Sequence, residues 1–493
     1  MSEQYQMYID GQWRDSASGE TMACINPFDQ SEWARIPVAT SGDVEDALQA
    51  ARAAYHSHWR HTSPGTRAGL LNKLADLMDA NADRLALLET TDNGKVIRET
   101  RSQVGYAARI FRYCAGYADK LHGQVVPLDQ KDVMDMALRV PYGVVAAITA
   151  WNSPIAILAN KLPAALATGN CVVVKPSEHA SATTLEIARL ADQAGFPPGV
   201  VNVVTGAAEV GRALVGSDLV DKISFTGSPG VGRLIAESAG RNLKPVSLEL
   251  GGKSPNIIFA DANLDKAVVG ALAGIFGATG QTCIAGSRLL VQRPVYDEVV
   301  SRLAARAGDI VLGDPRDAAT EMGTAANQPQ FERIMAFIEA ARADGATLVA
   351  GGSAAREGKL ARGLFIQPTI FADVDNKMRV AQEEIFGPVL SVIPFDTEEE
   401  AIAIGNDTPF GLASGVWTQD ISRAMRMMRA LDSGVVWVNT YRTSAPQAPF
   451  GGMKASGFGR ERGEAGLLEF TTLKNVMIDY STDARDPFTM KFG

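Results

Sequence analysis

The chain has 493 residues with a formal net charge of -9, 46% hydrophobic and 21% charged residues. This length exceeds one ordinary core and predicts two or more domains, each able to bury a sizeable apolar interior. The acidic balance without a long basic run excludes a nucleic-acid partner, no stretch approaches the roughly 20 apolar residues of a membrane span, and residues 1–14 lack a secretory pattern.

Along the chain, Ser41-Gly-Asp-Val opens a helical pattern with Val44, Ala47, Leu48 and Ala51 on one face and an acidic first turn. A second helix is expected over residues 67–91 and a third over 98–121, so the N-terminal portion reads as helix-rich. From Gly143 onward β-rich runs alternate with helical ones: 144–149, 171–175, 201–204 and 223–226 as strands, with helices after each. That alternation predicts βαβ units and a mostly parallel sheet. A second, less regular α/β series runs from about 256 to 439. Residues 132–140 and 474–480 alternate apolar and polar side chains, as a strand with one exposed face would; an antiparallel arm reaching a partner subunit and a plain edge strand both fit.

The four cysteines (Cys24, Cys114, Cys171, Cys283) are widely spaced and form no Cys-x-x-Cys pair. They predict a reducing cytoplasm, with neither a disulfide framework nor a metal site. A lone cysteine is usually a small buried hydrophobe, and three of these read that way. Cys283 differs, because Gly280-Gln-Thr-Cys-Ile-Ala-Gly286 surrounds it with glycines that let a substrate approach thiol and backbone.

Glu249, in Val246-Ser-Leu-Glu-Leu-Gly-Gly-Lys-Ser-Pro255, is an acid in an apolar strand. It reads either as a carboxylate satisfied by the following turn or as a partly desolvated general base. Asn152, in Thr149-Ala-Trp-Asn-Ser-Pro154, lies where open α/β sheets place ligands; it is a turn former or an oxyanion donor. Val172-Val-Val-Lys-Pro-Ser-Glu178 brings Lys175 and Glu178 to one sheet edge, where they suit ribose hydroxyls or a phosphate. In Phe225-Thr-Gly-Ser-Pro-Gly-Val-Gly232, Gly227 turns the chain and Ser228 with Pro229 starts a helix whose positive end suits a pyrophosphate. Gly206-Ala-Ala-Glu-Val-Gly211 lacks the middle glycine of the usual dinucleotide fingerprint, so Gly211 alone leaves such binding open.

In order and spacing, Ala-Trp-Asn152-Ser-Pro, Lys175-Pro-Ser-Glu178, Phe-Thr-Gly-Ser228, Leu-Glu249-Leu-Gly-Gly-Lys, Gly-Gln-Thr-Cys283, Glu383-Glu-Ile-Phe-Gly-Pro388 and Pro449-Phe-Gly-Gly-Met-Lys resemble the aldehyde dehydrogenase superfamily over nearly the whole chain. The resemblance implies an α/β fold with a Rossmann-like dinucleotide-binding domain (1–122 and 142–251), a second α/β catalytic domain (252–455) and a small β oligomerisation arm (123–141 and 472–485). It implies that Cys283 attacks the aldehyde, that Asn152 and the Cys283 N–H hold the oxyanion, and that Glu249 activates water. Trp151, Lys175, Glu178, Gly211, Gly227, Ser228, Glu384 and Phe386 would contact the cofactor. Glu178 would repel a 2′-phosphate, which favours NAD, with NADP as the alternative. Lys161 and Glu461 match a proton path behind the base, or else form a structural salt bridge.

The partners implied are a small-molecule aldehyde and further copies of the chain, in a homodimer or homotetramer. Ser153 and Asn160 stand where relatives acting on apolar aldehydes carry aromatic residues, so a polar aldehyde or semialdehyde is expected. A CoA-acylating dehydrogenase, a cofactor-free Cys-Glu-Asn hydrolase and a silent scaffold are the rival readings. The Leu-Glu249-Leu-Gly-Gly context favours water over CoA as acyl acceptor.

Overall fold

The computed structural model describes residues 2–482 and Phe488. Its first sheet runs in the order Gly457–Phe458, Val246–Glu249, Lys222–Thr226, Val144–Ile148, Cys171–Lys175, Val201–Val203, Met7–Ile9, Gln12–Arg14. The five strands from Val246–Glu249 to Val201–Val203 are mutually parallel, and the strands at either end pair antiparallel. Helices Pro154–Ala167, Ala182–Ala194, Ala208–Gly216 and Pro229–Arg241 make the connections. Cys171–Lys175 and Val144–Ile148 are buried throughout, as β-branched and small strands covered on both faces must be.

Counted in chain order, the parallel strands lie 3-2-1-4-5, the Rossmann-like doubly wound arrangement. The winding reverses between Val144–Ile148 and Lys222–Thr226. A crevice therefore opens beyond their carboxyl ends, at Thr149–Ser153 and at Gly227–Ser228.

The second sheet has the order Thr347–Ala350, Thr369–Ala372, Val389–Phe395, Arg288–Gln292, Pro255–Ile258, Ala413–Trp417, Val435–Val438. All its pairings are parallel except that of Thr347–Ala350. Two apolar clusters cover its faces, one around Phe337, Phe371 and Phe395 and the other around Ile275, Leu289 and Leu303.

Three features differ from the expectations drawn from sequence. The N-terminal portion begins with strands, since Met7–Ile9, Gln12–Arg14, Thr21–Ile25 and Glu32–Pro37 precede the first helix, Ser41–Ser57. Asp10-Gly11, both at positive φ, makes the first hairpin turn; an Asp-Gly pair is the local signal for it. The helix expected over 67–91 is two, Pro64–Ala80 and Ala82–Asn93, because Asn81 donates from its side chain to the Leu77 carbonyl and leaves helical geometry.

The third difference concerns the alternating stretches. Val133–Pro141 and Thr471–Asp479 pair antiparallel, with Gln124–Val126 on the far side, in a three-stranded sheet. The one clean alternation predicted for each is absent: Met134, Leu138, Leu473 and Met477 are exposed, whereas Asp135 is buried. Among the described residues no second layer covers those apolar side chains. Residues 483–485, expected in the arm, lie outside the described residues.

Candidate active site

The crevice of the first sheet faces the second across a cleft of about 1580 Å³. Asn152 and Glu249 reach it from the carboxyl ends of Val144–Ile148 and Val246–Glu249, and Cys283 from the segment ahead of Arg288–Gln292. That segment is sharply bent. Ala278, Thr279 and Gly280 are successively left-handed, with φ of 54°, 55° and 69°. A Cβ on Gly280 would stand 2.1 Å from the Gly387 carbonyl oxygen, so only glycine fits.

The bend is fixed from three sides. The Glu99 carboxylate accepts from the Ala278 N–H at 3.0 Å. The Gln281 amide donates to the Thr324 carbonyl (3.1 Å) and accepts from the Ala326 N–H (2.9 Å). Asn152 Nδ2 donates to the Gln281 carbonyl at 2.9 Å, which ties the amide to the nucleophile's own loop and leaves its second N–H uncommitted. Gly252 closes the group, for a Cβ there would lie 2.3 Å from the Cys283 carbonyl oxygen.

Three carboxylates and a lysine set the electrostatics. Burial pushes the Cys283 thiol up to about 12, and Glu384, Glu249 and Glu461 add to the rise, so the thiol is protonated in the resting cleft. Glu249 is held well above its usual range, first by burial and then by Glu461, with Lys161, Arg460 and Arg462 opposing. Among the described residues neither Glu249 oxygen has a hydrogen-bond partner. A buried carboxyl with both oxygens free is costly, and it suits a group that takes a proton from a bound water. Behind it, Lys161 donates to Glu461 and to Ser224 Oγ (3.2 Å); Glu461 lines the cleft and Lys161 does not.

Trp151, Gly227, Ser228, Glu384 and Phe386 line the same cleft. The Trp151 and Phe386 rings meet edge to face at 5.2 Å, with Phe386 at a left-handed φ of 61°. Ser228 caps the helix Pro229–Arg241, accepting from the Val231 N–H. Beside it Thr226 Oγ1 is buried without a partner. Glu384 accepts from the Gly252 N–H at 3.0 Å, and burial lifts its carboxyl to about 7 against that bond and the Lys253 charge.

Lys175, Glu178 and Gly211 gather apart from the cleft lining. Lys175 Nζ is 3.8 Å from Glu178 and donates to the Pro176 carbonyl, and its stem would touch a Cβ on Gly211 at 3.7 Å. Ser153 and Asn160 both line the cleft, and Asn160 Oδ1 is buried without a partner.

Sequence reading missed the support behind Asn152. Lys95 is buried and donates to the Asn152 carbonyl (2.5 Å) and Ser153 Oγ (2.7 Å), while Glu89 pairs with Lys95 at 3.5 Å and accepts from the Ile155 N–H. A charge on the apolar face of each segment was the available signal. Among the described residues no cluster of three or more His, Cys, Asp or Glu side chains is placed to hold a metal, and no helix is long and apolar enough to cross a membrane.

The sequence model of the aldehyde dehydrogenase family matches residues 13–476. The chain is 46% identical to a (Z)-2-((N-methylformamido)methylene)-5-hydroxybutyrolactone dehydrogenase of Acinetobacter baylyi, covering 99% of this chain and 100% of that one. It is 44% identical to the cytosolic aldehyde dehydrogenase 1 of Rattus norvegicus, covering 96% and 95% of the two chains. Among solved structures, the betaine aldehyde dehydrogenase of Staphylococcus aureus in complex with NAD+ superimposes with a TM-score of 0.97 at 39% identity, over 98% and 97% of the two chains.

Proposed function

The chain belongs to the aldehyde dehydrogenase family and is an oxidoreductase of that class; from this premise we propose that it oxidises a polar aldehyde to the carboxylic acid with NAD, through a covalent intermediate on Cys283. One observation carries the reading: a half-buried thiol shares a cleft with an uncommitted Asn152 N–H and an unpaired, proton-hungry Glu249.

The Cys283 thiol releases its proton to solvent at the open cleft as the sulfur adds to the carbonyl carbon. The new oxyanion is held by Asn152 Nδ2 and the Cys283 N–H. Removing one such donor typically costs about 10²–10³-fold in rate. When bound, NAD supplies the acceptor for the hydride that leaves this carbon. Loss of the hydride makes a thioester on Cys283. Glu249 then takes a proton from water, whose oxygen displaces the sulfur and releases the acid. Lys161 and Glu461 set the proton affinity of Glu249 from behind.

The residues present fit such a cofactor. The capped start of Pro229–Arg241 with Gly227 and Ser228 suits a pyrophosphate, and the unpartnered Thr226 Oγ1 offers a further polar contact. Trp151, Lys175, Glu178 and Gly211 would hold the adenosine. Glu384 would accept from the nicotinamide ribose, with Phe386 beside the ring. Residues 1–122 and 142–251 thus serve the cofactor and 252–455 the nucleophile. The arm, 123–141 and 472–485, would join copies of the chain in a dimer or tetramer. The free thiols of the chain suit the cytoplasm.

A panel of aldehydes with NAD, NADP and CoA tests this. The expected result is NADH at 340 nm with free acid as product, independent of CoA and abolished in Cys283→Ala. Acyl-CoA as the product, or ester hydrolysis with no NADH from any aldehyde, overturns it.

A further inference from the structure

The wall of the cleft made by helices Ile97–Tyr117 and Pro154–Ala167 and by residues 442–462 carries an uneven set of charges. Arg109, Arg442 and Arg462 line it, and among the described residues none of the three has a carboxylate within ion-pair distance. Arg462 donates to Tyr106 Oη (2.8 Å) and to Ser444 Oγ, lies over the Phe450 ring at 4.4 Å, and keeps its buried Nε without any partner. Arg442 donates only to the Ala273 carbonyl (3.1 Å) and follows Tyr441, whose hydroxyl donates to the Ile284 carbonyl beside Cys283. Arg109 is exposed on its helix and makes no side-chain hydrogen bond among the described residues.

Of the two carboxylates on this wall, Glu99 is committed to the Ala278 N–H and Glu461 to Lys161, and Arg98 is turned to the Glu321 carbonyl. Arginine presents planar paired donors that match a carboxylate. Three guanidinium groups with no ion-pair partner among the described residues, one with a buried unpartnered N–H, describe a receptor for an anion.

We propose that the substrate is an aldehyde bearing a carboxylate at its far end, an ω-oxo acid, whose anionic tail is received by Arg462 and Arg442 with Arg109 at the entrance. This inference rests on the aldehyde oxidation proposed above, and it narrows the polar substrate to an anionic one. Ser153 and Asn160 then line the path of a chain whose terminus is charged, where aromatic walls would exclude it.

The test compares 4-oxobutanoate with its methyl ester, the same aldehyde without the charge, by NADH formation in the full-length protein. Expected is a kcat/KM at least about 10-fold higher for the anion, falling with added salt. Arg109→Gln and Arg442→Gln should each raise KM for 4-oxobutanoate by about 10-fold and leave the ester unchanged. Arg109 is exposed and unbonded, so its variant tests the idea without a folding penalty. Equal or better use of the ester, or variants that depress both substrates alike, overturns the inference while aldehyde oxidation stands. No NADH from either substrate or from other aldehydes overturns both.

Discussion

Lys161 donates its ammonium proton to Glu461, and both side chains are buried, at 1% and 5% exposure. Glu461 raises the proton affinity of Glu249, and Lys161 lowers it. Opposite substitutions should therefore move the pH profile in opposite directions. Glu461→Gln removes a repelling charge, so the acidic limb of kcat should shift down by about one unit; Lys161→Gln should shift it up by a similar amount. Both variants lose stability, because each leaves one buried charge or its partner unpaired, at about 3–5 kcal/mol. Loss of stability with an unmoved limb would assign the pair a purely structural role.

Glu249→Gln separates chemistry from stability. Without the base the thioester persists, and the enzyme should release about one NADH per active site and then stall. Rapid-mixing absorbance at 340 nm reads that burst. The same substitution should stabilise the fold at neutral pH. A carboxyl whose folded proton affinity is raised contributes fully only below its ordinary pKa of 4.5, and it costs stability as pH climbs through the raised folded value. The variant's gain in Tm, about 1–3 °C at pH 8, should vanish near pH 4.5. A loss of Tm at pH 8 contradicts this account of the unpaired carboxylate.

Cofactor choice should follow Glu178. Its carboxylate is 3.8 Å from Lys175 and part-exposed, poised to accept from ribose hydroxyls and to repel a 2′-phosphate. Glu178→Ser should raise kcat/KM for NADP by about 10-fold or more while weakening NAD, because the repulsion goes and Lys175 is freed for phosphate. An unchanged NAD to NADP ratio would place discrimination elsewhere.

Much of this site is legible in sequence because its signals are local. A buried β-branched run such as Cys171–Lys175 marks a central strand, a Ser-Pro pair at 228–229 marks a helix start, and a cysteine among glycines stands out from three that are plainly core. The support is harder to read because it is assembled over long separations. Lys95 meets Asn152 across 57 positions, and Lys161 meets Glu461 across 300. Nothing adjacent to Arg442 or Arg462 shows that they would face one cleft with no ion-pair partner among the described residues. Periodicity also misleads where the chain projects from the body: the alternation at 132–140 implies a buried apolar face, and Met134 and Leu138 are exposed.

Those exposed side chains carry a prediction of their own. Thr471–Asp479 is one of the two outer strands of its sheet, with Leu473 58% and Met477 62% exposed. An apolar sheet edge without cover invites pairing with another copy. Leu473→Lys with Met477→Lys should shift the molecular mass by light scattering from an oligomer to a single chain, with the far-UV spectrum retained. An oligomer that survives the double substitution is held by another surface.

Binding of NAD should tighten as pH rises through neutrality, because of Glu384. Burial lifts its carboxyl to about 7, with the Gly252 N–H and the charges of Lys253 and Arg333 pulling the other way. The ionised form is the stronger acceptor for a ribose hydroxyl, and its share grows about ten-fold between pH 6 and pH 8, which bounds the gain in affinity. Calorimetric titration should show the NAD dissociation constant falling over that interval, by up to about ten-fold, in the parent and staying flat in Glu384→Gln. Lys253 is buried beside the same site, and burial lowers its ammonium to about 7, so it sheds its proton in the same window. Its loss of charge pushes Glu384 back toward the protonated form, which broadens the transition and leaves its sign unchanged. A Lys253→Met variant should then show a sharper rise centred above pH 7, since a constant apolar neighbour replaces one that titrates. A parent profile as flat as that of Glu384→Gln would remove the carboxylate from the ribose contact.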